Sequence, residues 1–145
     1  LDSAWAAYNW ASQCPGSSTA ASIAGETALE VDLTCDSFNG EYLVNWNSYT
    51  DLATYSVLSF DIYLTQPGDL SRVQMIVQYD YNSQTALQLL SNYIPNATPG
   101  SFYHVTIPLT AFTPGTSYLG FAFAFGNSSP TGSIFYLNHV VISSH

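Results

Sequence analysis

The segment SRVQMIVQYDY (71–81) spaces Gln74, Gln78 and Asp80 at even positions, with Val73, Met75 and Val77 between and around them. A strand shows its two faces at period two, so the apolar set belongs in a core and the two amides and the carboxylate look the other way. The amides both donate to and accept from hydroxyls, and the carboxylate accepts from them. Gln88, between Leu87 and Leu89, is expected to stand outward and extend this polar row on a neighbouring strand. The plain alternative is a solvated sheet face, which is the rule in antiparallel sandwiches. Planar rings with a polar handle are the natural companions of such a row, and Trp46, Tyr79 and Tyr81 are the candidates. Strict alternation buries Tyr79 and Tyr81 unless the strand twists or bulges near its end, and Tyr81 is nearer the turn. Trp46 is assigned outward. If it packs inward with Tyr42 and Val44, Asn45 and Asn47 face out instead.

Hydrolysis by paired carboxylates needs the two groups roughly 5–10 Å apart across a cleft. Asp80 is one candidate, and Glu41 becomes the second only if Tyr42, Val44 and Trp46 turn inward. No G-x-S-x-G, Cys–His constellation or phosphate loop is present. His104 alternates outward with Thr106, while His139 and His145 lack the spacing of a zinc motif. The two cysteines, Cys14 and Cys35, read as an extracellular disulfide that closes a loop of about twenty residues and contributes about 3 kcal/mol in the chain-entropy model. Two free buried thiols are the alternative in a cytosolic protein.

Composition narrows the partners. The chain has 145 residues, 47% of them apolar, which suits one domain over residues 1–145 that buries roughly two thirds of its unfolded surface. Only 8% are charged, with one Lys or Arg against ten Asp and Glu and a net charge of -9. Nucleic acid and anionic membranes need clustered cations, so neither is an expected partner. No apolar run approaches the ~18 residues of a membrane span. The N-terminus LDSAWAAYNW lacks a basic n-region, so the chain reads as an excised or mature secreted module without its signal peptide.

The elements that must position these groups are strands. ALEVDL (28–33), EYLVNWN (41–47), VLSFDIYL (57–64), RVQMIVQYDY (72–81), TALQLL (85–90), YHVTIPL (103–109), YLGFAFAFG (118–126) and IFYLNHVVI (134–142) alternate or are β-branched and aromatic. Gly, Pro, Asn and Ser turns separate them. Pro108 marks a strand end or a sheet edge. Eight or nine short strands in this pattern predict an all-β, two-sheet antiparallel sandwich.

The order of these segments resembles the β-jelly-roll carbohydrate-binding modules appended to cellulases, xylanases and mannanases. An early Trp10, AGETALEV (24–31), DLATYSVLSFDIYL (51–64), FYHVTIPLTAF (102–112) and FYLNHVVI (135–142) carry the likeness over nearly the whole chain. The resemblance implies one concave and one convex sheet, with a polysaccharide gripped in the concave groove. It assigns EYLVNW, LGFAFAFG, RVQMIVQYDY and TALQLL to the concave sheet, and ALEVDL, LSFDIYL, HVTIPL and the closing strand to the convex one. Gln74, Gln78, Asp80 and Gln88 would then read hydroxyls over a small floor of Gly120, Ala122 and Ala124, with Trp46 and Tyr81 as stacking platforms. Related jelly rolls hold a structural calcium through the Asp of a closing "L-D-N" motif. Here that position is Asn138, which weakens a hard-cation site, with Asp2 as a second possible ligand. The expectation is a non-catalytic module for a neutral β-glucan, mannan or xylan, joined to a catalytic domain elsewhere. A small glycoside hydrolase or lyase, or a structural or adhesion sandwich, is the alternative.

Overall fold

The computed structural model describes residues 6–9, 18–32, 34, 40–44, 50–51, 54–78, 87–112, 117–118, 120–125 and 134–144. Period-two patterning dominates them. In β6 (Val57–Leu64), Leu58, Phe60, Ile62 and Leu64 are fully buried, while the residues between them are partly exposed. In β9 (Phe102–Pro108), Val105 and Ile107 are buried between exposed His104, Thr106 and Pro108.

Two five-stranded antiparallel sheets result. The first has the order β1 (Ala6–Asn9), β4 (Gly40–Val44), β11 (Gly120–Phe125), β7 (Val73–Gln78) and β8 (Gln88–Leu89). The second runs β2 (Ser18–Ile23), β3 (Glu26–Asp32), β12 (Ile134–Ser143), β6 and β9. A short pairing joins β5 (Thr50–Asp51) to β10 (Ser117–Tyr118). The partition of segments between sheets is the one the resemblance implied. The strands β1 and β2 are additions to the expected set, and β9 is an edge strand that ends at Pro108.

The core lies between the sheets. Phe60 and Phe123, one from each sheet, meet edge to face with centroids 5.0 Å apart. Around them pack Val31, Ile62, Leu64, Val73, Met75, Val105, Ile107, Phe135 and Leu137. The β2–β3 hairpin turns through Ala24 and Gly25, both at positive φ (52° and 85°), as a two-residue primed turn requires. Asp69 is fully buried in the turn before β7, where its Oδ2 accepts the Gln66 N–H at 2.9 Å.

Two segments depart from expectation. Among its described residues TALQLL contributes Gln88–Leu89 as strand, and the chain then winds into a 3-10 turn at Leu90–Asn92. The closing strand is interrupted. Its register with β6 shifts between Asn138 and Val141, and His139 sits at φ 48°. One extra residue on the β12 side makes this a bulge, which re-aims a side chain.

Candidate functional site

Cross-strand partners stand side by side, so the register of the first sheet sorts its residues into rows. One row runs Glu41, Phe123, Met75, Gln88. Phe123 and Met75 are buried in the core cluster, which makes this an inner row. The neighbouring rows are Gly40, Ala124, Gln74, Leu89 on one side and Tyr42, Ala122, Ile76 on the other. A further row brings Val44, Gly120 and Gln78 together. The pairing of Gln74 with Ala124 and of Gln78 with Gly120 therefore sets two amide-bearing positions against small residues at alternate rungs.

Gln74 is half-buried. Ile76, on its phase of β7, is only 4% exposed yet lies outside the inter-sheet cluster. Leu89 is half-buried beside Gln74, and Leu87 is 51% exposed near the same edge. Ile76 and Leu89 were missed in the sequence. The even phase of SRVQMIVQYDY does contain Ile76, but an apolar residue among amides carries no signal of its own.

Gln88 is not part of the polar row. Its partner across the strand pair is Met75, on the inner side. Its Nε2 donates to the Ala111 carbonyl at 2.7 Å, and its Oε1 accepts the Tyr93 hydroxyl at 2.8 Å. An amide turned inward gains from being paired, and here the two bonds tie the partly buried Gln88 of β8 to the 3-10 turns at Leu90–Asn92 and Leu109–Phe112. Burial pushes the Tyr93 phenol up, so it keeps its proton and donates. This corrects the expected phase of β8, since Leu87 and Leu89 take the other side.

Trp46, Asp80, Tyr81, Asp2, Cys14 and Cys35 lie outside the described residues. Gln78 is placed by its backbone, opposite Gly120. Glu41 occupies the inner row opposite Phe123, so its register position does not match that of Gln74. Asn138 accepts the His139 N–H on its Oδ1 at 2.8 Å. Among the described residues no group of three His, Cys, Asp or Glu is arranged to hold a metal ion.

No protein-family model matches the sequence, and no curated protein matches it. Solved structures do. The family 30 carbohydrate-binding module of a cellulosomal cellulase of Clostridium thermocellum is 19% identical, with a TM-score of 0.64 over 86% of this chain and 78% of that one. The family 11 carbohydrate-binding module from the same organism, in complex with a β-1,3-1,4-mixed-linked tetrasaccharide, is 14% identical, with a TM-score of 0.63 over 97% and 88%. The fold is the two-sheet β-jelly roll that these structures share. A β-1,2-glucanase from Parabacteroides distasonis contains a similar part, at 17% identity and a TM-score of 0.68 over 97% of this chain but only 23% of the glucanase.

The second sheet of the jelly roll carries a cluster that the sequence did not show. Asp61 on β6 receives His104 Nδ1 on Oδ1 and His139 Nδ1 on Oδ2, both at 2.7 Å. The imidazoles are 63% and 67% exposed. Burial opposes the charge on Asp61, but the hydrogen bonds from His139 and His104 and the electrostatic interaction with the two rings outweigh it, and its carboxyl lies below the ordinary aspartate value. His104 shares a rung with Asp61, but His139 reaches it only through the bulge.

Proposed function

We propose that the outer face of the first sheet binds a neutral polysaccharide without cleaving it. The observation that carries this reading is the register of β11 against β7, which places Gln74 and Gln78 on rungs with Ala124 and Gly120. Small residues on those rungs leave room for a sugar chain close to the backbone, and the amides supply hydrogen bonds to hydroxyls. Trp46 has the sequence phase of Tyr42 and Val44, and it and Tyr81 are the proposed stacking platforms, with Asp80 as a further hydroxyl reader. With no lysine and one arginine, the chain suits an uncharged ligand. A β-glucan is the first ligand to test, because the similar family 11 module was solved with a mixed-linked tetrasaccharide. Mannan and xylan follow.

Several accompanying features belong to the same reading: secretion, a Cys14–Cys35 disulfide, attachment to a catalytic domain, and a structural calcium near Asn138 and Asp2. Against catalysis stands the register of Glu41, which does not share the Gln74 phase and so disfavours Glu41 as the second carboxylate that hydrolysis needs. The test is affinity electrophoresis in native gels cast with soluble β-glucan, glucomannan, xylan or no sugar. Wild type is expected to be retarded in at least one gel, with no reducing sugar released. Gln74→Ala/Gln78→Ala is expected to run close to the no-sugar position. Product release abolished by Asp80→Ala would establish the enzyme instead, and free migration of wild type in every gel would leave a structural sandwich.

A further inference from the structure

The outer face of the second sheet has two adjacent rows of its own. In the first, Glu30, Tyr136, Tyr63 and Phe102 stand side by side on β3, β12, β6 and β9. Tyr63 meets Phe102 edge to face with centroids 5.4 Å apart, and Tyr136 likewise at 6.0 Å. At the strand spacing of an antiparallel sheet, four neighbours span roughly 14 Å, about the length of a few sugar rings. In the second row, Asn138, Asp61 and His104 stand side by side, with His139 brought in by the bulge. An aromatic track thus runs beside a hydrogen-bonding one.

A cross-strand aromatic ladder that only braces the sheet would account for the rings. It does not account for His139. With Leu137 inward and Asn138 outward, strict alternation would turn position 139 toward the core. The bulge gives up one rung of pairing and places a non-glycine residue at φ 48°, a sparsely populated region. What this achieves is a second exposed imidazole on the outer surface, fixed by Asn138 and Asp61. Both rings turn Nδ1 to the carboxylate, which leaves each Nε2 for an outside partner.

The charge balance says what that partner is. The one arginine, Arg72, follows the turn at Asp69–Ser71 and is not on this sheet, so no permanently charged cation here attracts an anion. The carboxylates described on the central strands of this face have partners: Asp61 has two imidazoles, Asp32 accepts the Thr34 N–H and hydroxyl, and Glu30 lies against the Tyr136 phenol. A cation therefore gains little. Partly exposed rings beside fixed polar groups suit a neutral ligand with C–H faces and hydroxyls. We propose that the outer face of the second sheet is a second saccharide-binding surface, on the opposite side of the sandwich from Gln74, so that one copy of the protein bridges two polysaccharide chains. The second surface rests on its own residues, whereas the bridging rests also on the proposed binding at the first face.

The test uses the full chain with Gln74→Ala/Gln78→Ala to weaken the first face, titrated with cellohexaose, mannohexaose and xylohexaose. Histidine-ring and backbone-amide NMR signals are followed. The expected result is saturable movement of the His104 and His139 ring signals and of the Tyr63, Phe102 and Tyr136 amides with at least one sugar. His104→Ala/His139→Ala added to that background is expected to weaken the binding about tenfold, as for two lost hydrogen bonds. Wild type should also raise the light scattering of the soluble polysaccharide corresponding to that sugar, and His104→Ala/His139→Ala should not. If no sugar moves these signals, or only amides of β7 and β11 move, the second surface is refuted. The same ring signals followed in the wild-type chain give a reading that does not hinge on a variant's folding.

Discussion

Replacing Gln88 separates a structural amide from a ligand-reading one. The wild-type side chain makes bonds of 2.7 Å to the Ala111 carbonyl and 2.8 Å from the Tyr93 hydroxyl, in a partly buried position beside Met75. Each neutral bond contributes about 1 kcal/mol net, and a partner stranded away from water costs about 1–3 kcal/mol. Because Tyr93 and Ala111 are only partly buried, water recovers some of that loss, and Gln88→Ala should cost about 2 kcal/mol. For a chain of this length that lowers Tm by roughly 6 °C. Thermal unfolding followed by tyrosine and tryptophan fluorescence gives the shift. A double-mutant cycle with Tyr93→Phe should show a coupling of about 1 kcal/mol. Retardation in polysaccharide gels should match wild type at temperatures where the variant is folded. An unchanged Tm together with lost retardation would refute the assignment and return Gln88 to the ligand face.

Phe60→Ala removes the ring that meets Phe123 across the two sheets and should cost about 3–5 kcal/mol, measured by urea unfolding. Asp61 has a carboxyl held below its unfolded value, so its contribution is present above roughly pH 4, where an unfolded aspartate is ionised. It is lost as pH falls through the folded value. Stability measured from pH 6 to pH 2 should therefore fall less steeply in Asp61→Asn than in wild type, and equal slopes would contradict the double imidazole contact. Ala24→Gly, at φ 52° in the β2–β3 turn, should stabilise by about 0.5 kcal/mol once relieved strain is set against lost chain stiffness. A lower Tm would show that Ala24 is unstrained.

The fold was readable where alternation was strong. LSFDIYL and HVTIP show the buried and exposed phases of β6 and β9 residue by residue, because the sandwich buries one side of each strand. The strands β1 and β2, AAYN and STAASI, carry small residues with little contrast between phases, and pairing with β4 and β3 is what makes them strands. Gln88 was misplaced because an amide between two leucines looks outward by hydropathy. Its inward phase depends on Ala111, 23 residues away, and on Tyr93. His139 was invisible for a similar reason: the bulge is fixed by Asp61, 78 residues away, and no local pattern announces it. For the Gln74 face, the amide spacing was legible and its facing rungs followed from the strand order. Ile76 and Leu89 emerged only from the register.

The central claim is that a sugar lies against β7 and β11. Backbone-amide NMR of the wild-type chain, titrated with a mixed-linked β-glucan tetrasaccharide and with manno- and xylo-oligosaccharides of similar length, tests it most directly. The account predicts that with at least one of them the amides of Gln74, Ile76, Gln78, Gly120, Ala122 and Ala124 shift together and saturate, while the sugar stays uncleaved. Saturable binding that leaves all six unmoved, or no binding to any of these sugars, would contradict it.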